Sequence, residues 1–223
     1  MIVVHHLNNS RSQRVLWLLE ELGLDYDIVR YQRDPKTMLA PPQLRAVHPL
    51  GKSPVVVDGD DVLVESGAVL ETLLERHDTG HRLSPPPGTP EHLAYRKWMH
   101  YAEGSAMPPL LLSLVFGRIK SAPMPFFAKP VARGIAGKAL AGFVQPQLKL
   151  HFDYMESELA RHGWFAGPQF SAADIQMSFP VEAGAVRVGY GRYPHLAAFL
   201  QRIHARPAYR RALEKGGPYD LLA

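Results

Sequence analysis

The fold is decided by residues 48–67, which have the sequence His48-Pro-Leu-Gly-Lys-Ser-Pro-Val-Val-Val-Asp-Gly-Asp-Asp-Val-Leu-Val-Glu-Ser-Gly67. The three valines at 55–57 favour a buried strand, because β-branched side chains pack well on a pleated surface. Asp58-Gly59 indicates a tight turn, since glycine adopts a positive φ without steric cost. Residues 62–64 then predict a strand that returns antiparallel to the first. Ser66 is placed to cap a following helix, so the stretch predicts a hairpin and a helix start.

Pro54 begins the first of these strands. Proline has no N–H to donate to a strand ladder, and it is therefore expected at the mouth of a strand. The preceding Gly51-Lys52-Ser53 is similar to the end of a phosphate-binding P-loop, which also requires a glycine five residues before its Gly-Lys pair. Ala46 occupies that position, and a strand follows in place of a helix. The nucleotide interpretation is therefore rejected.

The chain of 223 residues carries 25 Lys and Arg against 21 Asp and Glu, and it contains no cysteine. The lack of cysteine excludes disulfides, thiolate metal sites and a cysteine nucleophile. The basic residues are spread along the chain without a nucleic-acid motif, so we expect no nucleic-acid partner. The Met1-Ile-Val-Val start is not typical of a signal peptide, and the longest apolar run, near residues 110–116, is too short to cross a bilayer. We therefore expect a cytoplasmic protein with no membrane partner.

His5 and His6 form an adjacent pair within a strand predicted at residues 2–7. Neighbouring side chains of a strand point to opposite faces of the sheet, so the two imidazoles cannot bind one ion. We expect one histidine to be buried and the other exposed, and we expect no metal site.

The rest of residues 1–78 alternates between helix and strand patterns. Apolar residues with helical spacing run from Val15 to Leu22, and Gly23 is placed to end that helix. A second strand at 26–31 and a short helical turn lead to the hairpin described above. A strand, a crossover helix, a parallel strand, and an antiparallel hairpin with a covering helix predict a thioredoxin-like α/β domain.

Residues 79–90 are rich in proline and glycine, which indicates a semi-rigid linker between two domains. The remaining chain, residues 91–223, predicts an all-α domain. Its helices are expected at 91–118 with a break at Pro108-Pro109, at 126–161 with breaks at Pro130 and Pro146, and at 171–186, 194–205 and 208–215. Ser171 and Asp174 have the spacing of a capping box at one of these helix starts.

Four motifs in this order resemble the glutathione S-transferase superfamily. They are the first loop and helix (Ser10-Arg-Ser-Gln-Arg-Val-Leu-Trp-Leu-Leu-Glu-Glu-Leu22), the loop from His48 to Pro54, the acidic-Ser pair Glu65-Ser66, and a capped core helix (Trp164-Phe-Ala-Gly-Pro-Gln-Phe-Ser-Ala-Ala-Asp174). The resemblance covers nearly the whole chain, and it is greatest to bacterial and fungal members with Ser in the first loop. It implies a thioredoxin-like α/β N-terminal domain, an all-α C-terminal domain and a cis bond between Ser53 and Pro54.

The resemblance also implies that a glutathione thiolate attacks an electrophilic carbon. A free thiol has a pKa of about 8.5, and lowering it by about 1.5 units requires roughly 2 kcal/mol of preferential thiolate stabilisation. A hydrogen bond to a charged acceptor contributes about 1.5–3 kcal/mol, so one donor just before the first helix is sufficient. Ser10 is the first candidate and Asn9 the second, because an amide NH₂ can also donate. Ser12 or a backbone N–H is a weaker candidate, since Ser12 can serve as the helix cap.

The other glutathione contacts are implied residue by residue. Glu65 would pair with the γ-glutamyl ammonium, and Ser66 with the N–H groups at the helix start would hold the neighbouring carboxylate. Val55 would offer its backbone to the cysteinyl part as an added strand does, at a strand mouth shaped by Ser53-Pro54. Lys52 would meet the glycyl carboxylate.

The electrophile is expected between the two domains, against the helix of residues 91–118, where Tyr101, Met107 and Phe116 are candidate lining residues. The implied activity is conjugation of glutathione to small hydrophobic electrophiles, and glutathione-dependent peroxide reduction is compatible because it needs no protein cysteine. The family further implies a homodimer, to which Trp17 or the exposed face of the helix after Ser66 contributes.

Two alternatives stay open. One is a non-catalytic module that binds glutathione or a protein partner on the same scaffold. The other is an isomerase similar to maleylacetoacetate isomerase, although Asn9-Ser10-Arg11-Ser12 departs from the Ser-Ser-Cys-Ser run of those enzymes.

Overall fold

A computed structural model describes residues 1–219 of the chain. Within these residues the sheet has four strands: β1 (Ile2–Leu7), β2 (Tyr26–Tyr31), β3 (Val55–Asp58) and β4 (Asp61–Val64). The strand order is β2-β1-β3-β4, in which β1 is parallel to β2 and the other two pairings are antiparallel. Gly59 has a φ of 64° in the turn from β3 to β4. The predicted hairpin is therefore confirmed.

Three helices accompany the sheet: α1 (Ser12–Leu22), α2 (Gln43–Val47) and α3 (Ser66–His77). Helix α1 is the crossover that two parallel strands require. Gly23 ends it with a φ of 71° and donates its N–H to the carbonyl of Leu19. This arrangement is the predicted thioredoxin-like α/β fold.

The rest of the chain is helical. The helices are α4 (Pro90–Tyr101), α5 (Met107–Ser121), α6 (Lys129–Ala139), α7 (Gln145–His162), α8 (Ala172–Val188), α9 (Pro194–His204) and α10 (Pro207–Gly216). A small mixed sheet followed by an all-helical region agrees with the predicted fold class. Over residues 1–219, none of the helices is long and apolar enough to cross a membrane.

Two π segments interrupt the longest helical stretches. Ala102–Ala106 joins α4 to α5, and Leu140–Val144 joins α6 to α7. Each lies directly before a proline-containing turn, with Pro108-Pro109 in α5 and Pro146 in α7. Proline lacks an N–H and its ring crowds the carbonyl four residues earlier, so the hydrogen-bond pattern widens at these points. The predicted breaks at Pro108-Pro109 and Pro146 are thus local π segments, whereas Pro130 lies in the first turn of α6.

Trp17 of α1 lies where the sheet region and the helical region meet. Its side chain is fully buried, and its ring packs edge-on against Tyr209 of α10 with a centroid distance of 5.0 Å. The indole N–H donates to Glu21 at 2.8 Å. The prediction that Trp17 contributes to a subunit interface is therefore wrong, because helices of the same chain already cover it.

His5 and His6 are both buried, although one was expected to be exposed. His5 Nδ1 lies 2.8 Å from the hydroxyl of Tyr31, and His6 Nδ1 lies 2.8 Å from the hydroxyl of Ser12. Strand β1 is an inner strand, so the sheet gives neither histidine an open edge. Burial, helped by the charge of Arg30, lowers the pKa of His6 to about 4. His6 is therefore uncharged at neutral pH.

Ser171 and Asp174 form the predicted capping box at the start of α8. The fully buried carboxylate of Asp174 accepts the N–H of Ser171 at 2.8 Å and the N–H of Phe165 at 2.9 Å. One carboxylate therefore satisfies the helix cap and fixes the loop that precedes it.

Candidate functional site

A cavity of about 200 Å³ opens where the hairpin and the start of α3 face the helical region. Five of the predicted glutathione contacts line it, namely Lys52, Ser53, Pro54, Glu65 and Ser66. Arg11, His48 and Glu103 line it as well. The stretch that decides the fold thus supplies one wall of the cavity, and Glu103 of the first π segment adds a wall from the helical region.

Glu65 joins β4 to α3 in a backbone conformation with φ 67° and ψ 115°. Such a conformation is rare for a residue with a side chain, and it turns the chain sharply from the strand into the helix. The carbonyl of Glu65 accepts the N–H of Val69 at 2.8 Å, and the exposed side chain lies at the cavity. Backbone strain at the edge of a cavity is typical of a binding site.

Ser66 is the first residue of α3 and is not its cap, because Glu65 occupies the cap position. The capping role predicted for Ser66 is therefore wrong. Its buried hydroxyl oxygen instead accepts from Arg14 Nη1 at 3.1 Å and from Gln176 Nε2 at 3.4 Å. Because Ser66 lines the cavity, the positive end of the α3 dipole lies at the cavity wall, where it favours an anion.

Arg14 of α1 is fully buried and connects three elements behind this wall. Its Nη1 donates to Glu103 at 2.7 Å, to Ser66 at 3.1 Å and to Gln176 Oε1 of α8 at 3.2 Å. Burial lowers the pKa of Arg14, and the charge of Glu103 opposes that shift. The guanidinium thereby holds the start of α3 against the helical region.

Arg11 forms the exposed side of the same cluster. Its Nε donates to the two carboxylate oxygens of Glu103 at 2.9 and 2.8 Å, and its guanidinium lies 5.0 Å from the ring centre of Phe179. Burial raises the pKa of Glu103, but Arg14 and Arg11 outweigh it and hold the pKa below its ordinary value. Glu103 is therefore a carboxylate at neutral pH that bridges the two arginines.

Ser10, Ser12 and Ser53 form a chain of hydroxyl groups behind the cavity. Ser10 Oγ lies 2.8 Å from Ser12 Oγ and donates to Ser53 Oγ at 3.3 Å. Ser12 Oγ extends the chain to His6 Nδ1, and Ser53 Oγ donates to the carbonyl of His5 at 3.1 Å. Ser10 is 4% exposed, and its hydroxyl is hydrogen-bonded to Ser53, which lines the cavity.

Asn9 lies in the same loop, half-buried and with a φ of 51°. Arg33 fixes this loop, since its Nη2 donates to the carbonyl of Asn9 at 3.3 Å and its Nε to the carbonyl of Asn8 at 3.2 Å. The side-chain oxygen of Asn8 accepts the Arg33 N–H at 2.9 Å. Asn9 and Ser10 are thus held side by side at the end of β1, and both stay candidates for thiol activation.

Val55 lies inside the sheet, not at the cavity. It is paired with His5 of β1 on one side and with Val64 of β4 on the other, and it is 1% exposed. A ligand cannot add to this position as an extra strand, because both neighbouring positions are already filled. This geometry does not support the predicted contact through Val55. At the mouth of the strand, the Ser53–Pro54 bond is cis as expected.

Comparison with known proteins identifies the family of the chain. The model of the glutathione S-transferase N-terminal domain matches residues 1–75, and the model of the C-terminal domain matches residues 118–207. Glutathione S-transferase 1 of Saccharomyces cerevisiae is 34% identical over 225 residues, covering 96% of this chain and 95% of the relative. The chain belongs to the glutathione S-transferase family.

Two further relatives support the assignment of the chain to this family. Glutathione S-transferase 3 of Schizosaccharomyces pombe is 37% identical over 216 residues, covering 96% of this chain and 88% of the relative. A crystal structure of a glutathione S-transferase from Actinobacillus pleuropneumoniae is 35% identical and superposes with a TM-score of 0.82, covering 100% of this chain and 96% of that chain.

The residues predicted to line an electrophile pocket lie in the helical region of the transferase. Tyr101 is half-buried at the end of α4, where its hydroxyl bonds His151 Nδ1 at 2.5 Å and its ring packs edge-on against Trp98. Met107 and Phe116 of α5 are also half-buried and pack against the main apolar core. Their place beside an electrophile stays a prediction.

Sequence reasoning missed three charged residues of the site: Arg11, Arg14 and Glu103. Arg11 lies in a polar loop, where an arginine is normally solvated, and Glu103 belongs to none of the four motifs. The one available signal was Arg14, a charged residue within the otherwise apolar run of α1. The pairing itself joins positions about ninety residues apart, which no local pattern specifies.

Proposed function

We propose that this transferase conjugates the glutathione thiolate to small hydrophobic electrophiles. The observation that carries the proposal is the cavity, in which Lys52 and Glu65 place opposite charges beside the start of α3. Glutathione has one ammonium group and two carboxylates, so it is complementary to a carboxylate, a lysine and a helix N-terminus. The family of the chain and the names of its two yeast relatives support the same assignment.

Each part of glutathione has a partner in this proposal. Glu65 pairs with the γ-glutamyl ammonium, the first turn of α3 at Ser66 holds the adjacent carboxylate, and Lys52 meets the glycyl carboxylate. The backbone at Ser53-Pro54 faces the cysteinyl part. The buried Arg14 keeps α3 in place, so the contacts are preorganised before glutathione arrives.

The thiol of glutathione would then lie toward the loop after β1, where Ser10 is our first choice of donor and Asn9 the second. Donation to the sulfur favours the thiolate and lowers the thiol pKa. The thiolate sulfur forms a bond to the electrophilic carbon, the leaving group departs with its bonding electron pair, and the thiol proton passes to solvent. This assignment places the chain among the Ser-type members of the family.

The test combines a conjugation assay with a binding titration. A dinitrohalobenzene electrophile reports turnover, and the intrinsic tryptophan fluorescence reports glutathione binding. We expect turnover that saturates with glutathione near the dissociation constant from the titration. Binding without turnover across several electrophiles would instead support a non-catalytic module, while turnover of a hydroperoxide or of maleylacetoacetate would assign peroxidase or isomerase chemistry.

We also propose a cytoplasmic homodimer in which the exposed face of α3 contacts the helical region of a second copy. Light scattering during size-exclusion chromatography measures the mass directly. A mass equal to one chain at micromolar concentration would contradict this part of the proposal.

A further inference from the structure

Positive charge is concentrated in one part of the helical region. Residues 104–152 contain six Lys and Arg but no Asp or Glu. The chain as a whole has 25 basic and 21 acidic residues, so the remaining residues hold 19 basic against 21 acidic. The net positive charge of the molecule therefore comes from this segment.

Within this segment, α5 and α6 are joined by the loop at 122–128. We call residues 118–138, which run from the end of α5 through this loop and along α6, the hairpin tip. The hairpin tip carries five cations, all of them exposed, and none forms an ion pair within residues 1–219. They are Arg118, Lys120, Lys129, Arg133 and Lys138. Unpaired cations on one hairpin create a local positive potential that attracts an anionic partner.

Large apolar side chains are exposed on the same hairpin tip. Phe126 and Phe127 are 84% and 70% exposed, and their rings lie edge-on at 5.7 Å. Val131 and Ile135, one turn apart on α6, are 63% and 64% exposed, and Ile119 of α5 is 40% exposed. Several large apolar side chains exposed on one short hairpin are typical of an interaction surface.

We propose that the hairpin tip docks on an anionic membrane surface. Phe126 and Phe127 enter the interface between headgroups and acyl chains, while the flanking lysines and arginines contact acidic lipid headgroups. The complete lack of acidic residues fits this partner, because a carboxylate would be repelled by the lipids. A tip-to-tip contact between two copies is disfavoured, since it would bring ten like charges together.

The position of the hairpin tip has a consequence that rests on the proposed function. Phe116, a predicted electrophile-pocket residue, lies two positions before Arg118 at the base of the tip. Docking would therefore bring the electrophile site close to hydrophobic compounds dissolved in the membrane. The docking itself does not depend on which reaction the site performs.

The experiment is co-sedimentation of the full chain with vesicles of phosphatidylcholine, with and without phosphatidylserine. We expect binding that requires phosphatidylserine and weakens as the salt concentration rises. Lys120→Gln/Lys129→Gln/Arg133→Gln should weaken binding about 100-fold, because each cation near an anionic surface contributes roughly a fivefold factor. Phe126→Ala/Phe127→Ala should weaken it about tenfold or more.

The matched control removes the same charge elsewhere, as Lys36→Gln/Arg96→Gln/Arg192→Gln, from exposed positions outside the hairpin tip. We expect this control to bind vesicles nearly as tightly as the unchanged chain, and all variants to keep their conjugation activity and melting temperature. No binding to acidic vesicles, or equal losses in the two triple variants, would overturn the proposal. So would a phenylalanine variant that changes the mass of the oligomer but not vesicle binding, since the face would then join two copies.

Discussion

Ser10 and Asn9 are neighbours in one loop, but their surroundings differ. The hydroxyl of Ser10 belongs to a chain that runs from His6 through Ser12 to Ser53, so it can both accept and donate. The low pKa of His6, caused mainly by burial, keeps this chain free of charge at neutral pH. If Ser10 turns its proton toward a thiolate, Ser12 can still donate to the Ser10 oxygen. Ser10 is therefore better supported as a donor than a lone hydroxyl would be.

Replacing the thiol donor should raise the pKa of bound glutathione. For Ser10→Ala we expect a rise of about 1–2 units, because a hydrogen bond to a charged group contributes about 1.5–3 kcal/mol. Ultraviolet absorbance of the thiolate in the complex, followed against pH, measures this pKa. Ser121→Ala is the control, since that hydroxyl bonds only carbonyls of its own helix among residues 1–219. A rise in Asn9→Ala without one in Ser10→Ala would transfer the role to Asn9.

Glu65 has a positive φ, so its function is best tested with a side chain of the same shape. Glu65→Gln removes the charge that would face the γ-glutamyl ammonium, and we expect glutathione affinity to fall by about 1.5–3 kcal/mol. Titration by tryptophan fluorescence gives the dissociation constant. Glu75→Gln changes an exposed carboxylate on the same helix and should leave the affinity unchanged. Equal affinities for the two variants would remove Glu65 from the site.

At the scale of elements, a few polar side chains decide where helices begin. Helix α8 starts at a capping box that also fixes Phe165, whereas α3 starts at Glu65 without a side-chain cap. The difference has a physical reason: α8 is buried on nearly all sides, so its first N–H groups need protein acceptors. The first turn of α3 lies at a cavity, where a ligand can supply the acceptor.

Removal of the α8 cap should destabilise the whole chain. Asp174→Ala leaves the N–H groups of Ser171 and Phe165 buried without an acceptor, and we expect a loss of about 2–5 kcal/mol in the free energy of unfolding. Urea denaturation followed by circular dichroism measures it. The control is Asp153→Ala, whose exposed carboxylate pairs with Lys149 in an i,i+4 contact and should change stability by less than about 1 kcal/mol. Similar losses of stability in both variants would contradict a larger contribution from the buried Asp174 cap.

At the scale of the molecule, Glu103 is the residue through which the helical region meets the proposed glutathione site. It pairs with Arg11 and Arg14, and Arg14 in turn reaches Ser66 and Gln176. The cluster therefore connects α1, α3, α8 and the first π segment around one buried guanidinium. We expect the electrophile to bind on the side of the helical region. This connection therefore fixes that region relative to the start of α3, where glutathione is proposed to bind.

The Glu103 connection should depend on pH in a defined direction. Since its pKa in the folded chain is lowered, its contribution is full above the ordinary value of 4.5 and is lost as the pH falls through the folded value. We expect Glu103→Gln to reduce the free energy of unfolding by about 1–3 kcal/mol at pH 7, because Arg14 loses its charged partner. The difference from the unchanged chain should shrink in acid. Urea denaturation across this pH range measures it, with Glu75→Gln as the exposed control, and a difference that is constant with pH would contradict the assignment.

Local chemistry made much of the fold predictable from the sequence. The valine strands, the turn at Gly59 and the end of α1 at Gly23 follow from steric preferences that act within a few residues. The same holds for the capping box, whereas the cis bond between Ser53 and Pro54 was implied only by the family resemblance. The motifs also brought Lys52, Glu65 and Ser66 to attention, because they lie in one continuous stretch.

The tertiary structure alone decided which of those residues share a cavity and what lies behind them. Burial of Trp17 and His6 involves α10, which follows much later in the chain, and the inner position of β3 removes Val55 from the site. The cluster of Arg14, Glu103 and Gln176 joins residues separated by up to 162 positions. Sequence patterns record how each segment folds on its own, whereas a buried charge finds its partners only when distant segments pack together.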